Sequence, residues 1–283
     1  MSTMHYFNRS GRKLTGYIDI TPNNVLQHVS GLDGMAEDKV LQIIGTPVRN
    51  PIVCRDSAPR HERLTAPQYL VYPVQWQDVN REYLTEEPCL IDFGESFETM
   101  QPPQDLGTPG PYRSPELILD RAAGINSDLW ALGCTLFEIR TGRKLFGAFD
   151  DDDDSYLDAM VQVLGPLPEP WWSTTWTQRR RLYKDEPDAK GLAVSAVETE
   201  EVHIPGVIRV IHPSVAEGAQ SLRDMLAPGL WYPSSHGRNG DRHRPIAPEE
   251  IEVFADLLGR LLEYVPAERI TAKDLLEHEW FRL

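Results

Sequence analysis

Asp19 and Asn24 stand five positions apart on the segment Tyr17-Ile-Asp-Ile-Thr-Pro-Asn-Asn24, with the φ-restricted Pro22 between them. A carboxylate and a carboxamide on one stiff loop can converge on a point. The carboxylate would serve a hydroxyl proton and the amide oxygen a hard metal ion. The same spacing also describes an ordinary turn. A second carboxylate, Asp92, follows the apolar Cys89-Leu-Ile and precedes Phe93-Gly94. A short buried strand would deliver it to a turn, a place suited to a metal or a phosphate. A third, Asp128, lies at the mouth of a strongly apolar stretch. A buried acid needs donors, which backbone N–H groups of a distant loop could supply; supporting its own helix start would serve as well.

Other chemistry-bearing groups are weaker. Cys54, Cys89 and Cys134 are scattered without C-x-x-C spacing, which fits reduced thiols and excludes a zinc knuckle or disulfide framework. His236 and His243 lack metal partners at useful spacing. The run Asp150–Asp154 reads either as a docking patch for arginine-rich segments or as a solvated loop whose last acids favour a helix start; charge runs are more often the latter. Arg179–Arg181 reads as an exposed helix face ahead of a localisation signal. A net charge of −15 disfavours nucleic acid as a direct partner and suits a basic one. No apolar run is long enough to cross a membrane, and the N-terminus lacks the apolar core of a signal peptide, so the expected location is cytoplasm or nucleus.

The elements that must position these groups centre on Asn126–Thr141. Ser127 is the expected N-cap and Gly142 the stop, and the residues between them leave no polar stripe, so the helix belongs inside a core. Val25–Val29 reads as a strand and Met35–Ile44 as a helix ended by Gly45. A helix leads from the aspartate run to Gly165, and Trp171, Trp172 and Trp176 read as core. Val215–Leu226 reads as a helix and Ser234–Arg244 as a polar loop. Pro248 opens a helix with Ile251, Phe254, Leu257, Leu258 and Leu261 on one face. Thr271-Ala-Lys-Asp274 resembles a capping box for a last helix that packs through Leu275, Leu276 and Trp280.

Taken in order, Asp19/Asn24, Asp92-Phe-Gly94, Gly107-Thr108, Tyr112-Arg-Ser-Pro-Glu116, Asp128-Leu-Trp-Ala-Leu-Gly133 and Val265-Pro-Ala-Glu-Arg269 resemble the protein-kinase signature set. The Asp-Ile-Thr-Pro-Asn-Asn loop, the long insertion before Asp92 and Val161–Trp172 resemble fungal SR-protein (serine/arginine-rich) kinases. The resemblance implies an α+β, protein-kinase-like fold, here the mostly helical C-terminal lobe with the β-rich N-terminal lobe absent. The domain would cover 1–283, with an insertion at 30–88 and a flexible excursion at 184–201. It implies Asp19 as the catalytic aspartate and Asn24 and Asp92 as ligands of Mg²⁺ bound with ATP. It implies a Glu116–Arg269 pair, Asp128 accepting backbone N–H groups near Asp19, and Thr108, Tyr112 and Arg113 as the substrate segment. The implied partner is a protein substrate of Arg/Ser-rich type, with a further partner covering the exposed interlobe face.

The departures carry weight. Tyr17 stands where the family has histidine and Ile18 where it has arginine. Thr21 takes the place of a lysine near the transferred phosphoryl group; losing one such donor costs about 3–4 kcal/mol in the transition state. Only 18 residues precede Asp19, too few for a Gly-rich loop, strand lysine and helix glutamate. Positioning by such elements is worth roughly 7–11 kcal/mol of barrier. The expectation is a Ser/Thr kinase of SR-protein-kinase type, inactive or impaired as this truncated chain. The rival expectation is a non-catalytic, pseudokinase-like interaction module that keeps the docking surface.

Overall fold

The computed structural model describes residues 6–7, 13–14, 19–53, 66–74, 79–97, 107–148, 150–186, 188–189, 193–196, 220–232 and 242–283. Tyr17, Ile18, Cys54, His236, the first part of the expected 215–226 helix and most of 187–201 lie outside them. The chain divides into two compact units, Val25–Ile91 and the remainder, Met1–Asn24 with Asp92–Leu283.

Near the N-terminus the two-residue strands β1 (Tyr6–Phe7) and β2 (Lys13–Leu14) pair antiparallel. The 25–91 unit is built on an antiparallel pair, β3 (Val25–Val29) and β6 (Leu84–Leu90), with Val25 opposite Leu90 and Leu26 opposite Cys89. Between them come α1 (Glu37–Ile44) and the hairpin of β4 (Arg49–Pro51) with β5 (Tyr69–Val71). Gly45 stops α1 at φ 86°, as its position in the sequence suggests. Among the described residues of this unit Val79 is the one buried apolar side chain. Cys89, expected inside a buried strand, is exposed, because a two-stranded ladder covers neither of its faces.

The larger unit is helical: α2 (Pro115–Leu119), α3 (Ile125–Thr141), α4 (Asp153–Leu164), α5 (Arg179–Leu182), α6 (Leu222–Leu226), α7 (Pro248–Leu261) and α8 (Ala272–Leu276). β7 (Leu230–Tyr232) pairs antiparallel with β8 (Arg242–Arg244), so the last three residues of the expected Ser234–Arg244 loop are strand, while 234–241 lie outside the described residues. α3 runs through the core, with Trp130 and Phe137 fully buried and the Trp130 ring stacked on Phe146 at 5.5 Å. A Cβ on Gly133 would come within 3.0 Å of Leu262, so glycine lets α3 approach the end of α7. Burial is not complete: Ile139 is half exposed. α7 supplies the opposite wall through Phe254, Leu257, Leu258 and Leu261, all fully buried.

α8 is capped as expected, Thr271 Oγ1 accepting the Asp274 N–H at 3.2 Å, but Leu276 points outward and the packing falls to Leu275 and to Trp280, stacked on Phe254 at 4.5 Å. Trp171, Trp172 and Trp176 are all buried in the core. Arg179, expected on an exposed face, is instead 2% exposed. Its guanidinium lies 4.6 Å above the Trp172 ring and donates to the Lys184 carbonyl and the Asp185 carboxylate, which is how a buried charge is tolerated.

Candidate active site

The loop that carries Asp19 closes on itself. Pro22–Asn24 forms a single 3₁₀ turn, with the Asn24 N–H donating to the Thr21 carbonyl at 3.0 Å. Asn24 is buried, and its side-chain N–H group donates to the Asp19 carboxylate at 2.7 Å and to the Asp19 carbonyl at 3.0 Å. The two residues therefore meet. Both hydrogen bonds from the amide nitrogen go to Asp19, so the Asn24 Oδ1 is the amide's remaining hydrogen-bonding function. From the core, Thr135 Oγ1 on α3 donates to the Ile20 carbonyl at 2.8 Å and ties the loop to the buried helix. Thr135 was missed by sequence reasoning; its signal was a hydroxyl in the middle of an otherwise apolar helix.

Asp92 follows β6 by two residues, in the left-handed region at φ 60°, and its Oδ1 accepts weakly from the Gly94 N–H at 3.4 Å. Left-handed backbone suits Asp better than most non-glycine residues. Its side chain is exposed. In sequence, Asn24 immediately precedes β3 and Asp92 follows β6 by two residues. One carboxylate and one carboxamide oxygen are hard donors, and Mg²⁺ bound with a polyphosphate takes one or two protein oxygens and fills the rest of its shell with phosphate and water. Among the described residues no cluster of three or more His, Cys, Asp or Glu is poised for a metal.

A buried brace joins α2 to the chain beyond α7. Arg269 donates to both oxygens of Glu116, at 2.6 and 2.7 Å, with side chains 0% and 6% exposed. The same guanidinium donates to the carbonyls of Asn126 at 2.8 Å, Glu263 at 2.7 Å and Tyr264 at 3.3 Å, and lies 5.1 Å over the Trp130 ring. Ser127 Oγ completes the set, donating to Glu116 at 2.9 Å. That is a correction: α3 starts at Ile125 with Gly124 as its cap, and Ser127, buried in the first turn, serves Glu116 instead. Asp128 is buried in the same turn, 9% exposed. The amides of residues 17–18 that flank Asp19 lie outside the described residues.

The segment expected to carry substrate is fixed from several sides. Thr108 is buried, and its carbonyl accepts Arg113 Nε at 2.7 Å. Gly110–Tyr112 forms a 3₁₀ turn. Tyr112 is buried and its hydroxyl donates to Glu138 of α3; burial, then that hydrogen bond, raises its phenol far above the usual range. Glu138 was not foreseen, although it is the one acid in the last turns of an apolar helix. The aspartates are likewise engaged internally. Asp151 accepts the Tyr156 hydroxyl at 2.8 Å, Asp152 caps α4 through the Ser155 N–H at 2.8 Å, and Asp154 accepts the Trp176 indole N–H at 2.8 Å. Asp153 pairs with Arg113 at 3.1 Å and Arg121 at 3.6 Å. Burial, then the Asp151 bond, pushes the Tyr156 phenol up to about 12. The run therefore begins on exposed residues, Asp150–Asp152, and its last acids cap and open α4, as the helix-start reading expects, with Asp151, Asp153 and Asp154 also held by side chains of the fold.

The family model for the protein kinase domain matches residues 83–281. That span includes Asp92, Glu116, Asp128 and Arg269, while Asp19 and Asn24 precede it. Among curated proteins, the serine/threonine-protein kinase AFC3 of Arabidopsis thaliana is 29% identical over 197 residues, 68% of this chain and 40% of that protein. The dual specificity protein kinase CLK1 of Mus musculus is 28% identical over 196 residues, 68% of this chain and 32% of that one. The dual specificity protein kinase lkh1 of Schizosaccharomyces pombe is 25% identical over 192 residues, 68% and 23%. The chain thus spans between about a quarter and two fifths of the length of these relatives. Among the described residues no helix is long and apolar enough to cross a membrane.

Proposed function

The chain belongs to the protein kinase domain family, and from that membership we infer that it takes part in transfer of the ATP γ-phosphoryl group to serine or threonine hydroxyls of a protein substrate of Arg/Ser-rich type. The observation that carries this reading is the Asp19–Asn24 arrangement: a carboxylate that accepts one N–H of an amide whose other bond goes to the Asp19 backbone carbonyl, on a loop tied to a core helix.

Protein kinase domains in general use ATP with Mg²⁺, which supplies charge neutralisation along the phosphates. In this chain the Asn24 amide oxygen and the Asp92 carboxylate are the hard donors that would hold the metal. Asp19 would accept the hydroxyl proton and aim the oxygen; its rotamer is preset by Asn24, so little ordering is left to do at the moment of reaction. Thr108, Tyr112 and Arg113 would form the floor for the peptide, and Glu116–Arg269 would brace that floor. Phe93, 41% exposed beside Asp92, is a surface that a further polypeptide would cover.

A second reading, a docking module without transfer, has Thr21 in its favour. That side chain is buried, 3% exposed, where the resemblance places a cation. The test follows radiolabel from ATP with Mg²⁺ into a peptide of eight Arg-Ser repeats, for the wild type, Asp19→Asn and Thr21→Lys. The kinase reading expects incorporation that Asp19→Asn abolishes and Thr21→Lys raises by about 10²-fold or more. Peptide binding without transfer in either the wild type or Thr21→Lys carries the second reading. Neither binding nor transfer defeats both.

A further inference from the structure

We propose that Asp153, a member of the five-aspartate run, is a positioning residue that clamps the substrate segment 107–113. This rests on the reading of that segment as the peptide floor. Four contacts converge on it. Arg113 is shared, its Nε donating to the Thr108 carbonyl at 2.7 Å and its Nη1 to Asp153 Oδ1 at 3.1 Å. The first contact closes Thr108–Arg113 into a loop of six residues; the second fastens that loop to the first turn of α4. Arg121 approaches the other Asp153 oxygen at 3.6 Å, so one carboxylate draws both ends of the 113–121 stretch toward the same turn. Next to it, Gly110 lies so close to Tyr156 that a Cβ there would stand 2.1 Å from the ring, and Tyr156 is in turn held by Asp151.

The charges explain why the contact belongs to Asp153 in particular. Asp152 is spent on the helix cap, Asp154 on the Trp176 indole and Asp151 on Tyr156, whereas Asp153 faces two guanidinium groups. The side chains of Arg113 and Asp153 are each about one third exposed, 33% and 34%. A pair at that depth keeps part of its electrostatic strength and stays within reach of a peptide lying on the segment. A cavity of about 450 Å³ opens beside it, lined by Thr108, Gly110, Arg113, Lys144, Asp151 and Tyr156 among others. Arg113, the segment's half of the clamp, therefore lines a space adjoining the floor, while Asp153 stands behind it and acts on a substrate through Arg113.

Amide hydrogen exchange tests this on the whole chain. The Tyr112 and Arg113 N–H groups donate to the carbonyls of Pro109 and Gly110 and report the turn directly. Asp153→Asn is expected to speed their exchange about fivefold, the factor corresponding to about 1 kcal/mol. It should leave residues 127–141 of α3 unchanged and weaken binding of the eight-repeat Arg-Ser peptide by a similar factor. Asp153→Glu is expected to stay within about twofold of wild type in both. Unchanged exchange at Tyr112 and Arg113 overturns the clamp, and so does an equal acceleration through α3, which would mark a general loss of stability. A wild-type chain that fails to bind the peptide counts against the functional reading, while the exchange comparison still decides for or against the clamp.

Discussion

Replacing Arg269 should cost more than replacing Glu116, although the two share one ion pair. Arg269→Met leaves a carboxylate that is 6% exposed with one remaining donor, the Ser127 hydroxyl. Removing one partner of a buried pair typically costs about 3–5 kcal/mol. Glu116→Gln leaves a guanidinium that still has the carbonyls of Asn126, Glu263 and Tyr264 and the Trp130 face, together with an amide oxygen able to accept one bond. Its cost should be about 1–3 kcal/mol. Single domains hold about 5–15 kcal/mol in all, so the arginine variant forfeits a large share and the glutamine variant a tolerable one. Urea denaturation at neutral pH reads the difference: at slopes of about 1–3 kcal/mol per M, the Arg269→Met midpoint falls by about 1–2 M or more. The double variant should be more stable than Arg269→Met alone, because the stranded charge has gone. Arg269→Met costing under about 1 kcal/mol, Glu116→Gln costing more, or a double variant that regains nothing would refute the reasoning from unequal numbers of acceptors.

Thr135→Val keeps the shape but strands the Ile20 carbonyl; a loss of about 1 kcal/mol is expected by denaturation, restored in Thr135→Ser. Glu250 makes a paired contact with Arg140, at 2.6 and 2.7 Å, and the guanidinium's hydrogen bonds hold its carboxyl below the ordinary value of 4.5. The folded value is the lower one, so this contribution is complete above pH 4.5 and disappears as the pH falls through the folded value. Glu250→Gln should accordingly lose about 1 kcal/mol at neutral pH and match the wild type in strong acid, measured as denaturation midpoint against pH. A constant gap across the whole range would count against it.

What could be read from the letters was what depends on local physics. Gly142 and Gly45 ended helices because only a residue tolerant of positive φ fits there, and Pro248 opened one because its missing N–H is no loss at that position. The spacing of Asp19 and Asn24, five positions with a proline between them, allowed the contact but described an ordinary turn equally well, and it was the family resemblance that singled the pair out. Side-chain partners distant in sequence were less legible. Ser127 has every property of an N-cap, yet Glu116, eleven residues earlier, claims its hydroxyl. Arg179 looked like surface because arginine usually is; the Trp172 ring and the Lys184 carbonyl that admit it to the core arrive only with the fold. Leu276 was assigned to the core because apolar side chains tend to go there, but a short helix has just one inward face and Leu275 occupies it. The Glu116–Arg269 pair, separated by 153 positions, came from the family resemblance and from no periodicity.

The pairing of Val25 with Leu90 works as a clasp. Whatever length of chain is threaded between those two residues, its ends emerge one strand-spacing apart, and the entropic cost of a longer excursion grows only with the logarithm of its length. With Val79 as the one buried apolar side chain among its described residues, the excursion places few packing demands on its own sequence. Residues 30–83 could therefore be lengthened, shortened or rewritten while the pairing of Val25 with Leu90 persists, which leaves this excursion room to acquire recognition duties of its own.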